Sequence, residues 1–175
     1  MIVKTNSMRL LDSRKVAYEV YEYSSEIHSA VEAAQAIGQP AERVFKTLVV
    51  MRDLQARAKP LLVMVPGDRE LDLRALAKST GDKKLRMATQ KEAESLTGLL
   101  VGGIGALALL NRGFEIWLDR AARAAGRERI CVNAGQRGVM LELGVDDLAR
   151  VTNARWAEGA SFTAEALRIE SPPLR

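Results

Sequence analysis

Two long apolar runs stand out in the pattern of hydrophobic and polar positions along the chain. The first is Val44–Met51, which is rich in β-branched residues, and the second is Leu61–Val65, which ends at Pro66. Apolar runs of this length are typical of strands buried on both faces, and a charged stretch, 52–59, separates them. The pattern therefore predicts two buried strands joined as a hairpin.

Shorter segments predict four further strands. Alternating apolar and polar positions predict a strand over Val16–Tyr23, and apolar runs predict strands over Phe114–Asp119, Ile130–Val132 and Val139–Leu143. The last two segments flank the glycine-containing loop 133–138, which is typical of a hairpin.

Apolar positions at helical spacing, together with capping residues, predict five helices. Thr89 and Glu92 have the spacing of a capping box, and Asp72 is a favourable N-cap residue. The predicted segments are Ser7–Leu11, Ile27–Gly38, Asp72–Gly81, Thr89–Gly98 and Asp146–Thr152. Strands joined partly by hairpins and partly by helices indicate an α+β domain with a mixed sheet.

Length and composition predict one globular domain. The chain has 175 residues, 47% of them hydrophobic and 27% charged, with a net charge of +4. It contains no apolar stretch of about 18 residues that could span a bilayer, and residues 1–5 lack the apolar core of a signal peptide. We therefore expect a cytoplasmic protein without a membrane partner, and its charge permits a polyanionic one.

The counts of cysteine and histidine restrict the possible chemistry. Cys131 is the single cysteine and His28 the single histidine. One of each cannot form an internal disulfide and leaves little basis for a zinc site, so we predict no metal and no cofactor. Cys131 lies between apolar neighbours and is typical of a core residue, with a catalytic thiol as the alternative; His28 is expected at the surface or packed against a helix.

Lys46 interrupts the first apolar run, and two interpretations of it remain open. Removing an ammonium group from water is costly unless the group is paired or reaches a cleft, which favours a functional lysine. The alternative is an edge strand, in which the lysine stem packs on the sheet and its head reaches water.

A second informative segment is Leu99–Gly105, in which an apparent strand runs into three glycines. Glycines at this density indicate a tight turn or backbone that a ligand approaches closely. Gly103–Ala108 also fits a dinucleotide-binding fingerprint, with Asp119 as the ribose-binding carboxylate. However, a helix here would extend only over 105–112, which is too short to cross a sheet.

Four blocks of the sequence, taken together, resemble a known family. They are 44–50, 67–73, 97–104 and 135–143, and they follow the family's order and spacing. The resemblance is to the YbaK family, the free-standing relatives of the editing domain inserted in bacterial prolyl-tRNA synthetases. It extends from about Ser7 to Thr152.

The resemblance implies an activity and a fold. The activity is trans-acting hydrolysis of the ester of a mischarged tRNA, of the Ala-tRNA(Pro) or Cys-tRNA(Pro) type. The fold is a single compact α+β domain, with a strongly curved, partly barrel-like mixed sheet flanked by helices. We expect this domain to occupy residues 1–156, followed by a loosely held extension over 157–175. The implied partners are the tRNA acceptor end with its aminoacyl-adenosine and a prolyl-tRNA synthetase.

The resemblance also implies functional residues. The expected catalytic group consists of Lys46, Gly102 and Gly103, because the lysine matches the family's functional lysine and the glycines match its substrate loop. The expected substrate-binding residues are Tyr23, Ile104, Gly105, Asn133, Gly135, Arg137 and Gly138.

Three departures from the family pattern keep the amino acid specificity open. A serine or proline that commonly follows the glycine loop is replaced by Gly105-Ala106. A frequent serine-glycine pair becomes Asn133-Ala134, and the usual histidine-aspartate pair becomes Ser25-Glu26. The alternative function is therefore a non-catalytic module of the same fold that binds the tRNA acceptor end or a synthetase.

Overall fold

A computed structural model describes residues 3–52, 58–124 and 126–162 of the chain. The helices in these ranges are α1 (Asn6–Ser13), α2 (Ala30–Ile37), α3 (Leu73–Thr80), α4 (Gln90–Thr97) and α5 (Val145–Thr152). The strands are β1 (Tyr18–Glu22), β2 (Val44–Arg52), β3 (Leu61–Pro66), β4 (Arg69–Leu71), β5 (Leu85–Met87), β6 (Glu115–Asp119), β7 (Arg129–Asn133), β8 (Val139–Gly144), β9 (Arg155–Ala157) and β10 (Ala160–Phe162).

Most strands form one mixed sheet in the order β1-β8-β7-β2-β3-β6-β9, and β5 also pairs with β2. The β2/β7, β3/β6 and β6/β9 pairs are parallel, and the other pairs are antiparallel. The sheet is curved but open, because β1 and β9 end the order without pairing with each other. The predicted α+β domain with a curved mixed sheet is confirmed, although the described strands do not close into a barrel.

Helices cover both faces of the sheet. On β3, Leu62 and Met64 belong to the largest core cluster, which also includes residues of α1 and α5. The alternate residues of β3 face a second cluster that contains Leu76 of α3. Side chains alternate between faces along a strand, so covering β3 on both sides requires the unbroken apolar run seen in the sequence.

Local sequence signals locate the helix starts well. The Asp72 carboxylate accepts hydrogen bonds from the backbone N–H groups of Arg74 and Ala75 at the start of α3. At the start of α4, the Thr89 and Glu92 side chains form the predicted capping box. The predicted hairpins β2/β3 and β7/β8 are also confirmed.

The interpretation of the glycine segment as a strand followed by a crossover helix is wrong. Residues 99–101 form a turn region after α4, and only the short 3-10 helix Ala106–Ala108 follows the glycines. A dinucleotide fingerprint needs a strand before its glycines and a long helix after them. The dinucleotide-binding alternative therefore fails on both counts.

The fold continues past the predicted domain boundary at residue 156. Ala157 ends β9, which pairs with β6, and β10 pairs with β4 to form a separate two-stranded sheet. The remainder of the predicted extension, 163–175, lies outside the described residues. None of the helices in the described residues has the length and apolar character of a transmembrane segment.

Candidate active site

A gap in the sheet beside β2 creates a cleft of about 440 Å³. Strand β7 pairs with β2 only at Val44 and Phe45, and β5 pairs with it only from Val50 onward. Between these points, no strand of the described residues covers β2 on the side away from β3. The cleft opens there, and its walls include Tyr23, Lys46, Thr47, Gly102, Ile104 and Asn133.

Lys46 lies in this gap, half-buried on a central strand. The edge-strand alternative is therefore wrong, because β2 is flanked by β3 on one side and by β7 and β5 on the other. The Lys46 Nζ lies 3.4 Å from the Gly67 carbonyl oxygen. Burial lowers the pKa of Lys46 from its usual value, and the nearby carboxylates of Glu70 and Asp68 partly oppose this shift. The result is a partly desolvated cation that faces a cavity.

The loop that carries the glycines is tied to the β7/β8 loop by two side chains. Asn133 Nδ2 donates to the Gly102 carbonyl at 3.0 Å, and Arg137 Nε donates to the Val101 carbonyl at 2.8 Å. Gly102 itself has a φ of +89°, which favours glycine, and its backbone lines the cleft. These bonds hold the Gly102 backbone in place opposite β2.

Gly103 and Gly105 allow close packing of the two loops; a tight turn was one of the two roles that the glycine pattern left open. A Cβ on Gly103 would lie 2.8 Å from the Arg137 backbone nitrogen, and one on Gly105 would clash with the Asn133 carbonyl oxygen. The Gly103 N–H donates to the Leu100 carbonyl at 2.8 Å, so it is already engaged in a turn. Among these glycines, Gly102 is therefore the one that lines the cleft.

Backbone groups of the β7/β8 loop bond to Asn133 and Tyr23, two residues that line the cleft. Asn133 Oδ1 accepts hydrogen bonds from the backbone N–H groups of Gly135 and Gln136, which fixes its amide. Gly138 accepts a hydrogen bond from the Tyr23 N–H at 2.9 Å. Burial raises the pKa of Tyr23, and its contact with the Asn133 side chain opposes the rise.

The structure divides the predicted residues into two groups. Tyr23, Lys46, Gly102, Ile104 and Asn133 line the cleft. The remaining predicted residues, Gly103, Gly105, Gly135, Arg137 and Gly138, contact or support the two loops. Their assignment to catalysis or substrate binding stays a prediction.

Among the cleft residues that sequence reasoning missed are His28 and Thr47. His28 is exposed, as expected, but it also lines the cleft beside Gly102, where a Cβ on the glycine would lie 3.2 Å from the His28 Cα. Thr47 follows Lys46 on β2, and strand alternation directs the two side chains to opposite faces. No sequence signal marks His28 or Thr47 as a residue of the cleft. Lys46 and Thr47 can both reach one cavity because the sheet has a gap beside them.

Cys131 lies in β7 under α2 and is 1% exposed. Burial raises the pKa of its thiol to about 12. Because the thiolate is the reactive form, we expect iodoacetamide to leave Cys131 unmodified at pH 8 and to alkylate it once the protein is unfolded in guanidinium. Mass spectrometry measures this directly, and rapid alkylation of the folded protein would restore the catalytic-thiol alternative.

The donor set of the cleft suits an ester or a phosphate better than a metal ion. No group of three or more histidine, cysteine or acidic side chains is close enough to hold a metal within residues 3–52, 58–124 and 126–162. The cleft instead combines a cation, backbone polar groups and a hydroxyl with the apolar side chains of Phe45, Val49 and Ile104. Such a site can bind an anionic or polar group and pack a small apolar one.

Comparison with known proteins gives one consistent result. A family model described as an aminoacyl-tRNA editing domain matches residues 24–151. Over 157 residues the chain is 38% identical to an Enterococcus faecalis protein named "Putative Cys-tRNA(Pro)/Cys-tRNA(Cys) deacylase EbsC", a match that covers 89% of this chain and 92% of that protein.

Two further matches involve prolyl-tRNA synthetase. A proline–tRNA ligase of Nitratidesulfovibrio vulgaris is 34% identical over 82 residues, which are 47% of this chain and 14% of the ligase. A solved structure described as "a putative trans-editing enzyme for prolyl tRNA synthetase" has a TM-score of 0.73 and 25% identity, over 91% of this chain and 99% of that chain.

Proposed function

We propose, from the premise that this chain belongs to the aminoacyl-tRNA editing domain family, that it is a trans-acting deacylase. Its substrate would be a tRNA that carries the wrong amino acid, and its reaction would be hydrolysis of the ester to the terminal adenosine. The observation that carries the proposal is the half-buried Lys46, which lines the same cleft as the Gly102 backbone.

The size and lining of the cleft support an aminoacyl-adenosine as its occupant. A volume of about 440 Å³ falls within the usual range for small-molecule sites. Phe45, Val49 and Ile104 form an apolar wall that suits a short side chain such as that of alanine or cysteine. The relative named as a Cys-tRNA(Pro) deacylase supports cysteine as one substrate.

The proposed mechanism uses groups that the cleft contains. Lys46 would hold the terminal phosphate or ribose, and this contact would fix the position of the ester. As the nucleophile attacks, negative charge develops on the carbonyl oxygen and needs preorganised donors, one of which would be the Gly102 N–H. The attacking water would be activated by the substrate's own ribose hydroxyl or amine. With a cysteine substrate, the thiol would instead attack its own ester carbonyl and release the ribose hydroxyl of the tRNA, and water would then hydrolyse the resulting cyclic thioester.

A deacylation screen tests this proposal. Proline tRNA charged with alanine, cysteine or serine is incubated with catalytic amounts of the protein, and prolyl-tRNA serves as the correctly charged control. We expect turnover of at least one mischarged species and no turnover of the control. Salt-sensitive RNA binding without release of any amino acid would instead support the non-catalytic module.

A synthetase partner is the second part of the proposal. The similarity to proline–tRNA ligases spans 14% of the ligase length, so it supports a shared editing domain. We infer that this domain, acting in trans, meets its substrate at or after release from prolyl-tRNA synthetase. A pull-down with purified synthetase in the presence and absence of tRNA measures this association.

A further inference from the structure

The uncovered part of β2 presents backbone hydrogen-bonding groups to the cleft. The Gly67 N–H donates to the Val44 carbonyl at 2.7 Å, so the Val44 carbonyl points to the β3 side of β2. Antiparallel pairing alternates, and the backbone groups of Thr47 must therefore point away from β3. The Val49 carbonyl, two residues beyond Thr47, accepts from the Ala88 N–H on the side of β2 away from β3. This bond agrees with the alternation.

The Thr47 side chain adds a polar atom at the same place. Its Oγ1 is shielded from solvent and has no hydrogen-bond partner in the described part of the chain. A buried hydroxyl without a partner lowers the stability of the folded protein, so the presence of a threonine here needs an explanation. Because Thr47 also lines the cleft, a ligand bound there is one group that could supply this oxygen with a partner.

We infer that Thr47 is the docking point of the aminoacyl group, an inference that rests on the proposed function. An aminoacyl ester carries an α-ammonium group and a carbonyl in the same arrangement as a residue of a strand. In an antiparallel pair of the hydrogen-bonded type, one residue exchanges both its N–H and its C=O bond with the residue opposite. The α-ammonium group thus donates to the Thr47 carbonyl, and the ester carbonyl accepts from the Thr47 N–H.

This arrangement also places the amino acid side chain. Residues that lie opposite each other in a sheet direct their side chains to the same face. The substrate side chain would therefore lie on the Thr47 face of β2, which is also the face of Phe45 and Val49 in the main core. The apolar wall then contacts the side chain while the Thr47 backbone bonds the α-ammonium group and the carbonyl. This mode of binding resembles strand addition, here at the uncovered middle of a central strand.

Amide hydrogen exchange tests the backbone contacts. The probe is the hydrolysis-resistant amide 3′-deoxy-3′-(alanylamino)adenosine, and its counterpart without the amine carries a propionyl group. We expect the Thr47 amide to exchange quickly in the free protein and at least about tenfold more slowly with the alanyl probe bound. The Leu48 amide points to β3 and serves as the internal control, with little change expected.

In this pose the Thr47 hydroxyl is a second acceptor for the α-ammonium group. The variant Thr47→Val tests that contact, because valine keeps the shape and removes the oxygen. We expect it to bind the alanyl probe about tenfold more weakly and to have an equal or higher melting temperature, since an unpartnered polar group has been removed. It should bind the propionyl probe as the parent does. Thr80→Val in α3, whose hydroxyl faces the Ala77 carbonyl, is the matched control and should bind both probes normally.

The outcomes separate this inference from the proposed function. Binding of the alanyl probe without protection of the Thr47 amide would overturn the inference and leave the deacylase proposal intact. Equal affinity of the parent and Thr47→Val for the alanyl probe would overturn the role of the hydroxyl. A parent protein that neither binds the probe nor hydrolyses any charged tRNA would remove the proposed function, and the inference with it.

Discussion

The Lys46→Ala variant should lose about a hundred- to a thousandfold in kcat/KM for release of the amino acid from mischarged tRNA. Lys46 provides the cation in the cleft that would hold the terminal phosphate or ribose, and without it the ester is no longer positioned. Steady-state deacylation with the substrate identified in the screen measures the effect. Lys78→Ala, which removes a lysine from α3, is the control and should retain parent activity.

Removal of the Lys46 ammonium group should raise the free energy of unfolding, although it lowers the deacylation activity. Burial lowers the pKa of Lys46 below 10.5, so the unfolded chain binds this proton more tightly than the folded protein does. Unfolding therefore takes up a proton between the lowered pKa and 10.5, and the free energy of unfolding rises with pH through that window. Below the window, the buried ammonium group costs stability.

The variant Lys46→Met removes this cost while keeping a long side chain. At pH 7 we expect its melting temperature to equal or exceed that of the parent, although it is as inactive as Lys46→Ala. Thermal denaturation at pH 7 gives the comparison. A large loss of stability in Lys46→Met would indicate that the lysine is needed for folding, and equal turnover by the variants and the parent would remove Lys46 from the mechanism.

The Gly105→Ala variant should be strongly destabilised and inactive. A Cβ at this position would clash with the Asn133 carbonyl oxygen, which is backbone and cannot move aside cheaply. Overpacking of this kind costs about 1–3 kcal/mol, which corresponds to a drop of roughly 2–4 °C in melting temperature for each kcal/mol in a domain of this size. Separation of the two loops would also displace the Gly102 backbone, which Asn133 holds.

Gly81→Ala supplies the comparison for this variant. A Cβ at Gly81 meets nothing within 4 Å, but the residue has a φ of +78° at the end of α3. It should therefore lose only about 1 kcal/mol, from backbone strain alone, and keep full activity. If Gly105→Ala were as stable and active as the parent, close packing of the two loops would not be needed to form the cleft.

The most local parts of the fold were the most predictable. The Asp72 cap and the Thr89/Glu92 capping box depend on side chains that bond backbone groups two or three residues away, so their signals lie within single short segments. The apolar runs of β2 and β3 predicted two strands buried on both faces. The short strand β5 carries no such signal, because it is three residues long and is defined by its partner.

The glycine segment shows where local reasoning failed. Three glycines in four residues indicated close approach of something to the backbone, but they did not reveal what approaches. The structure places the neighbouring loop against Gly103 and Gly105 and leaves Gly102 at the cleft. The same residue type thus serves packing at two positions and lines the cavity at a third, according to contacts with residues about 30 positions away.

Sequence patterns were sufficient to predict the helix caps, the two hairpins, the α+β class, the family resemblance and the unusual position of Lys46 in an apolar strand. They could not reveal that β7 and β5 leave the middle of β2 uncovered, or that Lys46, Thr47 and Gly102 share one cleft. The difference lies in the range of the interactions. Capping and hydrophobic periodicity act within a few residues, whereas the gap depends on where two distant strands stop pairing with a third.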